Sequence, residues 1–166
     1  MLVCFSHGRD SGPWGSKISE LARIARERGL EVDSLDYQGM MDPGERIEML
    51  EAEMADAMRP LILVGSSMGG YVSAVASWRL KAHGLFLLAP AFYTLEGLEE
   101  SWRPAICPIT IVHGWRDDVV PVEHSIRFAQ EYHATLHIVD ADHGLIENIY
   151  EIGQFFELFL DLVQTD

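Results

Sequence analysis

Six short, continuously apolar runs, separated by longer stretches with helical periodicity, constrain the fold of this chain more than any other feature. The runs lie at residues 2–5, 32–35, 61–64, 85–88, 109–112 and 136–139. Runs this short and this apolar are typical of strands buried on both faces, as in a parallel sheet covered by helices. The sequence therefore predicts six parallel strands.

The stretches between the runs predict crossover helices. In residues 17–28 apolar positions recur at helical spacing and Gly29 supplies a stop, whereas Pro43 suits the first turn of the next helix. The predicted helices span residues 17–28, 43–58, 69–80, 122–132 and about 149–162. Residues 90–106 lack an amphipathic helix and are predicted to form a loop with a short helical turn. The alternation predicts an α/β fold, and we expect residues 1–166 to form one domain.

Charge and cysteine content narrow the choice of partners and compartment. The 166 residues include 26 acidic and 12 basic ones, a formal net charge of -14. Such a charge repels phosphate backbones and anionic membrane surfaces, so we expect neither nucleic acid nor a membrane as partner. Cys4 and Cys107 form no C-x-x-C motif, and the first residues lack the pattern of a signal peptide. We expect a cytoplasmic monomer or homodimer.

The third apolar run leads directly into a G-x-S-x-G motif, Gly65-Ser66-Ser67-Met68-Gly69, and then into a predicted helix. The glycines are needed because the central serine of such a motif sits on a tight, strained turn between strand and helix. Ser66 does not occupy the central position. A glycine-rich structural turn without chemistry would give the same short motif, so the prediction of Ser67 as a nucleophile depends on its partners.

Candidate partners for Ser67 follow the last two predicted strands. A serine hydroxyl needs a base, and the base needs a third group to orient it. The loop after the fifth strand carries the carboxylate pair Asp117 and Asp118, and the loop after the sixth carries His143. Because parallel strands present their carboxyl ends at one edge of a sheet, the three loops should converge. The order Ser, Asp, His along the chain is that of one known arrangement of such triads.

Taken together, the elbow at residues 65–69, the H-G-x-x-D-x-x-V-P pattern at 113–121 and Asp142-His143 resemble the α/β-hydrolase superfamily over nearly the whole chain. The resemblance implies a three-layer α/β/α sandwich with strand order 2-1-3-4-5-6 and no cap domain. It also implies that Asp117 is the triad acid. Asp118 is the runner-up and is expected to be a surface or helix-capping residue. No metal or organic cofactor is implied.

The segment F-S-H-G-R-D-S-G-P at residues 5–13 resembles the oxyanion loop of the same superfamily. By that resemblance, the backbone N–H groups of Arg9 and Met68 would hold the negative charge of a tetrahedral intermediate. Loops that follow strands would supply the substrate pocket, although aromatic residues in loops are as often packing anchors. The candidate pocket residues are Trp14, Phe92, Tyr93, Trp115 and Leu145.

The remaining histidines and acids have simpler interpretations. His7 and His113 lie beside glycines at strand ends, which favours structural hydrogen bonds over catalysis. Asp140 and Asp142, near His143, are expected to be helix caps or groups that support the site from behind, and capping is favoured. The other four histidines show no metal-ligand spacing, so we expect no metal site. They are His83, His124, His133 and His137.

The function predicted from these residues is hydrolysis of a carboxylic ester of a small or medium substrate. Thioester or amide hydrolysis would use the same groups, and a fold cannot choose among them. The alternative is a catalytically idle binding or interaction protein that keeps the scaffold. Haloalkane dehalogenase chemistry is disfavoured, because the nucleophile there would be an aspartate in place of Ser67.

Overall fold

Strands and helices alternate along the chain in the computed structural model, which describes residues 1–57, 59–94 and 102–164. The strands are β1 (Leu2–Ser6), β2 (Glu31–Leu35), β3 (Leu61–Ser66), β4 (Gly84–Leu88), β5 (Ile109–Gly114) and β6 (Thr135–Val139). The helices are α1 (Ser16–Glu27), α2 (Pro43–Met54), α3 (Met68–Leu80), α4 (Val122–Tyr132) and α5 (Ile149–Gln164). Every predicted strand and helix is present, and α2 is shorter than predicted.

The six strands form one parallel sheet in the order β2-β1-β3-β4-β5-β6, which confirms the predicted order. β1 pairs with β2 on one side and with β3 on the other, and Ser6 at its end lies opposite Gly65 of β3. The direction of chain progression across the sheet reverses between these neighbours. In open α/β sheets the crevice at such a reversal, at the carboxyl ends of the strands, is where ligands bind.

Helices cover both faces of the sheet and give the predicted three layers. One apolar cluster packs residues of α1 and α5 against one face, where the Phe86 and Phe156 rings lie 4.9 Å apart between centroids. The other cluster packs α2, α3 and α4 against the opposite face, with Phe92 and Phe128 stacked at 4.1 Å. The described residues include no domain inserted over the carboxyl edge of the sheet.

Burial separates the central strands from the edge strands. All residues of β1, β3, β4 and β5 are buried, whereas β2 and β6 begin with exposed or partly buried residues and become buried only at their carboxyl ends. Burial on both faces, predicted for all six runs, therefore holds only for the four inner strands. The two outer strands each have one unpaired edge and only part of the helical cover.

Two further sequence predictions fall partly on residues that the structure does not describe. The predicted end of α2 at residue 58 lies outside them, and the helix ends earlier, at Met54. Of the predicted 90–106 loop, the structure describes 90–94 and 102–106, with a turn at Phe92 and Tyr93. No helix in the described part of the chain has both the length and the apolar character of a membrane span.

Candidate active site

Ser67 occupies the sharp turn between β3 and α3. Its backbone has φ 55° and ψ -120°, a region that non-glycine residues enter only when the surroundings enforce it. The flanking glycines make that turn possible because, without a Cβ, they let neighbouring backbone segments pack against each other. A Cβ on Gly65 would lie 2.2 Å from the carbonyl oxygen of Gly69, and a Cβ on Gly69 would lie 2.0 Å from that of Ser6. Neither position can hold a side chain without moving the backbone.

Three side chains from separate loops form a hydrogen-bonded chain at the carboxyl edge of the sheet. Ser67 Oγ lies 3.0 Å from His143 Nε2, and His143 Nδ1 lies 2.7 Å from Asp117 Oδ2. A carboxylate can only accept, so Nδ1 carries the proton of the neutral ring and Nε2 is left with a lone pair facing the hydroxyl. The structure thus brings the three predicted residues together in the order that proton transfer requires.

The carboxylate of Asp117 is fully buried and receives donors on both oxygens. Its Oδ1 accepts from the backbone N–H groups of Val119 and Val120 at 2.9 and 2.8 Å. Burial alone would raise the pKa of Asp117, but the hydrogen bonds from Val120, His143 and Val119 outweigh it, and the pKa lies below its ordinary value. The carboxylate is therefore charged at neutral pH. Its neighbour Asp118 is exposed.

A second imidazole supports the same carboxylate. His113 is fully buried, and its Nε2 lies 3.0 Å from both Asp117 Oδ2 and the carbonyl oxygen of Val120. Both partners are acceptors, so Nε2 carries a proton, while Nδ1 faces Ser125 Oγ at 2.7 Å. Burial lowers the pKa of His113, which keeps the ring neutral at pH 7. Sequence reasoning expected a structural hydrogen bond here but did not identify Asp117 as its recipient.

The two predicted oxyanion donors lie beside the serine. Met68 is the first residue of α3, where a backbone N–H has no acceptor within its own helix. Arg9 follows β1, and both residues line the same cleft as Ser67. The loop that carries Arg9 is held in part by His7, whose Nδ1 lies 2.7 Å from the carbonyl oxygen of Gly8.

A buried arginine that the sequence prediction missed also holds this loop. Arg46 of α2 is 0 % exposed, and its guanidinium faces the carbonyl oxygens of His7, Gly8 and Arg9 at 3.1, 3.4 and 3.5 Å. It donates as well to Met40 at 2.8 Å. Burial lowers the pKa of Arg46. These contacts turn the carbonyl groups of residues 7–9 toward the guanidinium.

Ser67 and His143 line a cleft of about 550 Å³. Polar and charged residues of the β1 and β3 loops and of α1 form much of its wall, and small or aliphatic residues of later loops form the rest. The lining residues are Gly8, Arg9, Asp10, Ser11, Lys17, Ser66, Ser67, Met68, Ala91, Thr94, Val119, Val120, His143 and Gly144. Such a volume suits a small or medium ligand.

None of the five residues predicted to line the pocket is among these, which corrects that prediction. Phe92 and Leu145 are fully buried in the core, so they serve as packing anchors. Trp14, Tyr93 and Trp115 lie on the outer surface. Arg26 covers the ring of Trp14 at 5.3 Å and Arg127 that of Tyr93 at 4.2 Å, which gives both rings partners away from the cleft.

The acids near His143 have local roles. Asp142 Oδ1 accepts from the backbone N–H groups of Gly144 and Leu145 at 2.9 and 3.2 Å, which closes the turn that carries His143. Asp140 pairs with Arg116 at 2.6 Å on the surface. Asp142 therefore has the capping role expected for both acids, whereas Asp140 forms an ion pair instead.

Fold, strand order and the site at the carboxyl edge define the chain as an α/β-hydrolase. It belongs to the uncharacterised protein family UPF0227, whose family model matches residues 2–106. That segment includes the predicted oxyanion loop and the turn at Ser67, whereas Asp117 and His143 lie beyond it. A comparison with curated proteins finds no match.

Solved structures share the fold over nearly the whole chain. A candidate hydrolase of the alpha/beta superfamily from Xanthomonas campestris pv. campestris is 28% identical, with a TM-score of 0.88 and 99% of both chains covered. Est1E from Butyrivibrio proteoclasticus is 17% identical, with a TM-score of 0.86, covering 99% of this chain and 88% of that one. An α/β serine hydrolase without lid from Xanthomonas campestris is 20% identical, with a TM-score of 0.73 and coverage of 96% and 81%.

Proposed function

We propose that this protein is a serine hydrolase that cleaves carboxylic esters of small or medium size through an acyl-enzyme formed on Ser67. The observation that carries the proposal is the uninterrupted hydrogen-bonded chain from Ser67 through His143 to Asp117, at 3.0 and 2.7 Å. A structural serine would not need a buried carboxylate to orient its histidine partner.

In the first half of the reaction, Ser67 Oγ attacks the carbonyl carbon while its proton passes to His143 Nε2. The carbonyl oxygen becomes an oxyanion, which the backbone N–H groups of Arg9 and Met68 hold. The bond to the leaving group then breaks, and His143 returns the proton to the departing alcohol. In the second half, water attacks the acyl-enzyme by the same route and releases the acid and the free serine.

Asp117 serves throughout by holding the Nδ1–H tautomer and stabilising the imidazolium that forms on proton transfer. Its low pKa keeps it ionised for this purpose. The neutral His113 stabilises the same carboxylate without adding a positive charge beside His143. Est1E, whose fold the chain shares, is also described in a complex with ferulic acid, and the cleft volume fits a substrate of that general size.

Labelling with a fluorophosphonate probe tests the proposal directly. Wild type should form one covalent adduct, located by mass spectrometry on Ser67, and Ser67→Ala should form none and lose about 10³-fold or more in kcat on p-nitrophenyl esters. Ser73→Ala is the matched control, because Ser73 is a buried serine on α3 whose Oγ has no hydrogen-bond partner among the described residues. It should label like wild type.

A folded wild type that forms no adduct would overturn the proposal and favour a binding protein that keeps the scaffold. With an adduct in hand, matched p-nitrophenyl ester, thioester and anilide substrates that share one acyl group would rank the leaving groups. We expect the ester to be cleaved with the highest kcat/KM.

A further inference from the structure

The cleft contains a lysine that the proposed mechanism does not use. Lys17 stands in the first turn of α1 and lines the cleft together with Gly8, Ser67 and His143. It forms no hydrogen bond or ion pair with any residue in the described ranges 1–57, 59–94 and 102–164. It is one of only two lysines in the chain, and it is the one beside the nucleophile.

The setting of Lys17 is costly for a cation without a partner. Burial lowers its pKa to about 8, although the charges of Asp142 and Asp117 act in the opposite direction. Lys17 is half-buried, so an anion bound in the cleft would replace the part of its hydration that the ammonium group loses there.

Lys17 is the more buried of the two cations that line the cleft. The other, Arg9, is exposed, and its guanidinium lies 3.4 Å from the carboxylate of Asp10. Asp117 is committed to His143, His113 and two backbone donors, and the Asp142 oxygen that faces the loop is taken by Gly144 and Leu145. In a chain with a formal net charge of -14, a lysine kept beside the nucleophile points to a ligand of opposite sign.

We propose that Lys17 is a specificity residue that binds a carboxylate of the substrate, so that esters with a free carboxylate are preferred over neutral esters of equal size. This inference rests on the esterase function proposed above. The apolar wall residues Val119, Val120 and Ala91 would contact the uncharged part of the same substrate.

Two matched substrate pairs test the inference and show which half of the ester carries the charge. For the acyl half, mono-4-nitrophenyl adipate is compared with 4-nitrophenyl hexanoate. For the alcohol half, 4-acetoxybenzoate is compared with 4-acetoxybenzamide. The readout is the ratio of kcat/KM for the anionic member to that for the neutral member in each pair. Because both members react on the same machinery, effects on the chemical step cancel in the ratio.

The variants are Lys17→Met, Lys17→Arg and Lys81→Met. Lys81 caps α3 at the end away from Ser67, about 20 Å along the helix axis, so it is the matched lysine control. Lys17→Met should lower the ratio by about tenfold or more in at least one pair, mainly through KM, because a charge-assisted contact to bound substrate is lost. Lys17→Arg should keep most of the preference, and Lys81→Met all of it.

The pH dependence of the ratio gives a second readout. The titratable and charged groups around Lys17 are Asp117, Asp142 and His143 from the later loops and Arg9 and Asp10 from the β1 loop. Lys17 is charged below its pKa of about 8, so the wild-type ratio should be full near pH 7 and fall as the pH rises through 8 to 9. The ratio for Lys17→Arg should stay level.

Equal ratios in wild type and Lys17→Met, or no preference for the anion in wild type, would overturn the inference. A wild-type protein that cleaves none of these substrates and forms no Ser67 adduct would instead count against the esterase function. A normal thermal unfolding curve for Lys17→Met shows that the comparison concerns binding and not folding.

Discussion

At the residue scale, Arg46 gives the sharpest prediction. Arg46→Met removes the donors that face the carbonyl oxygens of His7, Gly8 and Arg9, and of these three oxygens only that of Gly8 keeps other side-chain contacts among the described residues, with His7 and Ser11. We expect the free energy of unfolding to fall by about 2–4 kcal/mol. We also expect kcat/KM on a neutral ester to fall at least about tenfold, since the predicted oxyanion loop loses its support. Urea denaturation and steady-state kinetics measure the two effects.

Arg23→Met is the control for the loss of an arginine as such. Arg23 lies on the exposed face of α1 and pairs with Glu20 and Glu27, contacts that contribute little at a surface. It should change the free energy of unfolding by less than about 0.5 kcal/mol. If Arg46→Met behaved like Arg23→Met, the proposed support of the loop would be wrong.

The sequence contains a signal for Arg46 and Lys17, two residues that the sequence analysis did not single out. Arg46 stands four residues before Leu50 and eight before Met54, so a charged residue lies on the buried stripe of α2. Lys17 likewise stands four residues before the buried Leu21 of α1. A charged side chain on an apolar helical stripe needs a partner or a ligand, but the sequence alone does not identify which groups it meets.

The pocket wall could not be predicted in the same way. Phe92 and Trp115 both follow strands, yet one ring stacks in the core on Phe128 and the other is 60% exposed. Which way a loop side chain turns depends on neighbours that are distant in sequence. The three predicted triad residues came together because the topology of a parallel sheet fixes where their loops meet, and their catalytic role remains a prediction.

At the scale of the elements, the junction of β3 and α3 tolerates no added atoms. Gly65→Ala would place a methyl group 2.2 Å from the carbonyl oxygen of Gly69, which belongs to the backbone and cannot turn away. We expect a loss of more than about 3 kcal/mol in the free energy of unfolding, or failure to fold. Thermal unfolding followed by circular dichroism measures it.

Gly15→Ala is the matched glycine control. Gly15 precedes α1 with φ -61°, and the nearest atom to an added Cβ is 3.8 Å away. Its effect should stay below about 1 kcal/mol, the size of a weakened helix cap. Equal effects of the two substitutions would mean that the elbow is looser than its distances indicate.

The helices and strands could be predicted because the spacing of apolar residues along the chain reflects which positions of each element are buried. α4 matches its predicted bounds of 122–132, since Pro121 and the apolar stripe mark its start. α2 ends at Met54, four residues before the predicted end, because helical spacing continues into the turn that must bring the chain to β3. The exposure of β2 and β6 depends on their places at the sheet edges, and a run of apolar residues does not encode its place in a sheet.

For the molecule as a whole, the charge balance predicts a response to salt. With 26 acidic and 12 basic residues, self-repulsion opposes the compact state at neutral pH. Raising NaCl from 20 to 300 mM at pH 7.5 should raise the Tm by a few degrees, because the repulsion is screened. At pH 5, where net charge is smaller, the gain should shrink. A gain of equal size at both pH values would show that screening is not its cause.

The backbone of Ser67, at φ 55° and ψ -120°, has a consequence for how such a chain can evolve. Strain of this kind amounts to about 1–3 kcal/mol, a sizeable part of the net stability of a domain, which is about 5–15 kcal/mol. Glycine would relax the turn, but it would remove the proposed nucleophile with it. Selection for thermostability therefore has to act elsewhere in the molecule. At position 67, a substitution that relieves the backbone strain also removes the proposed nucleophile.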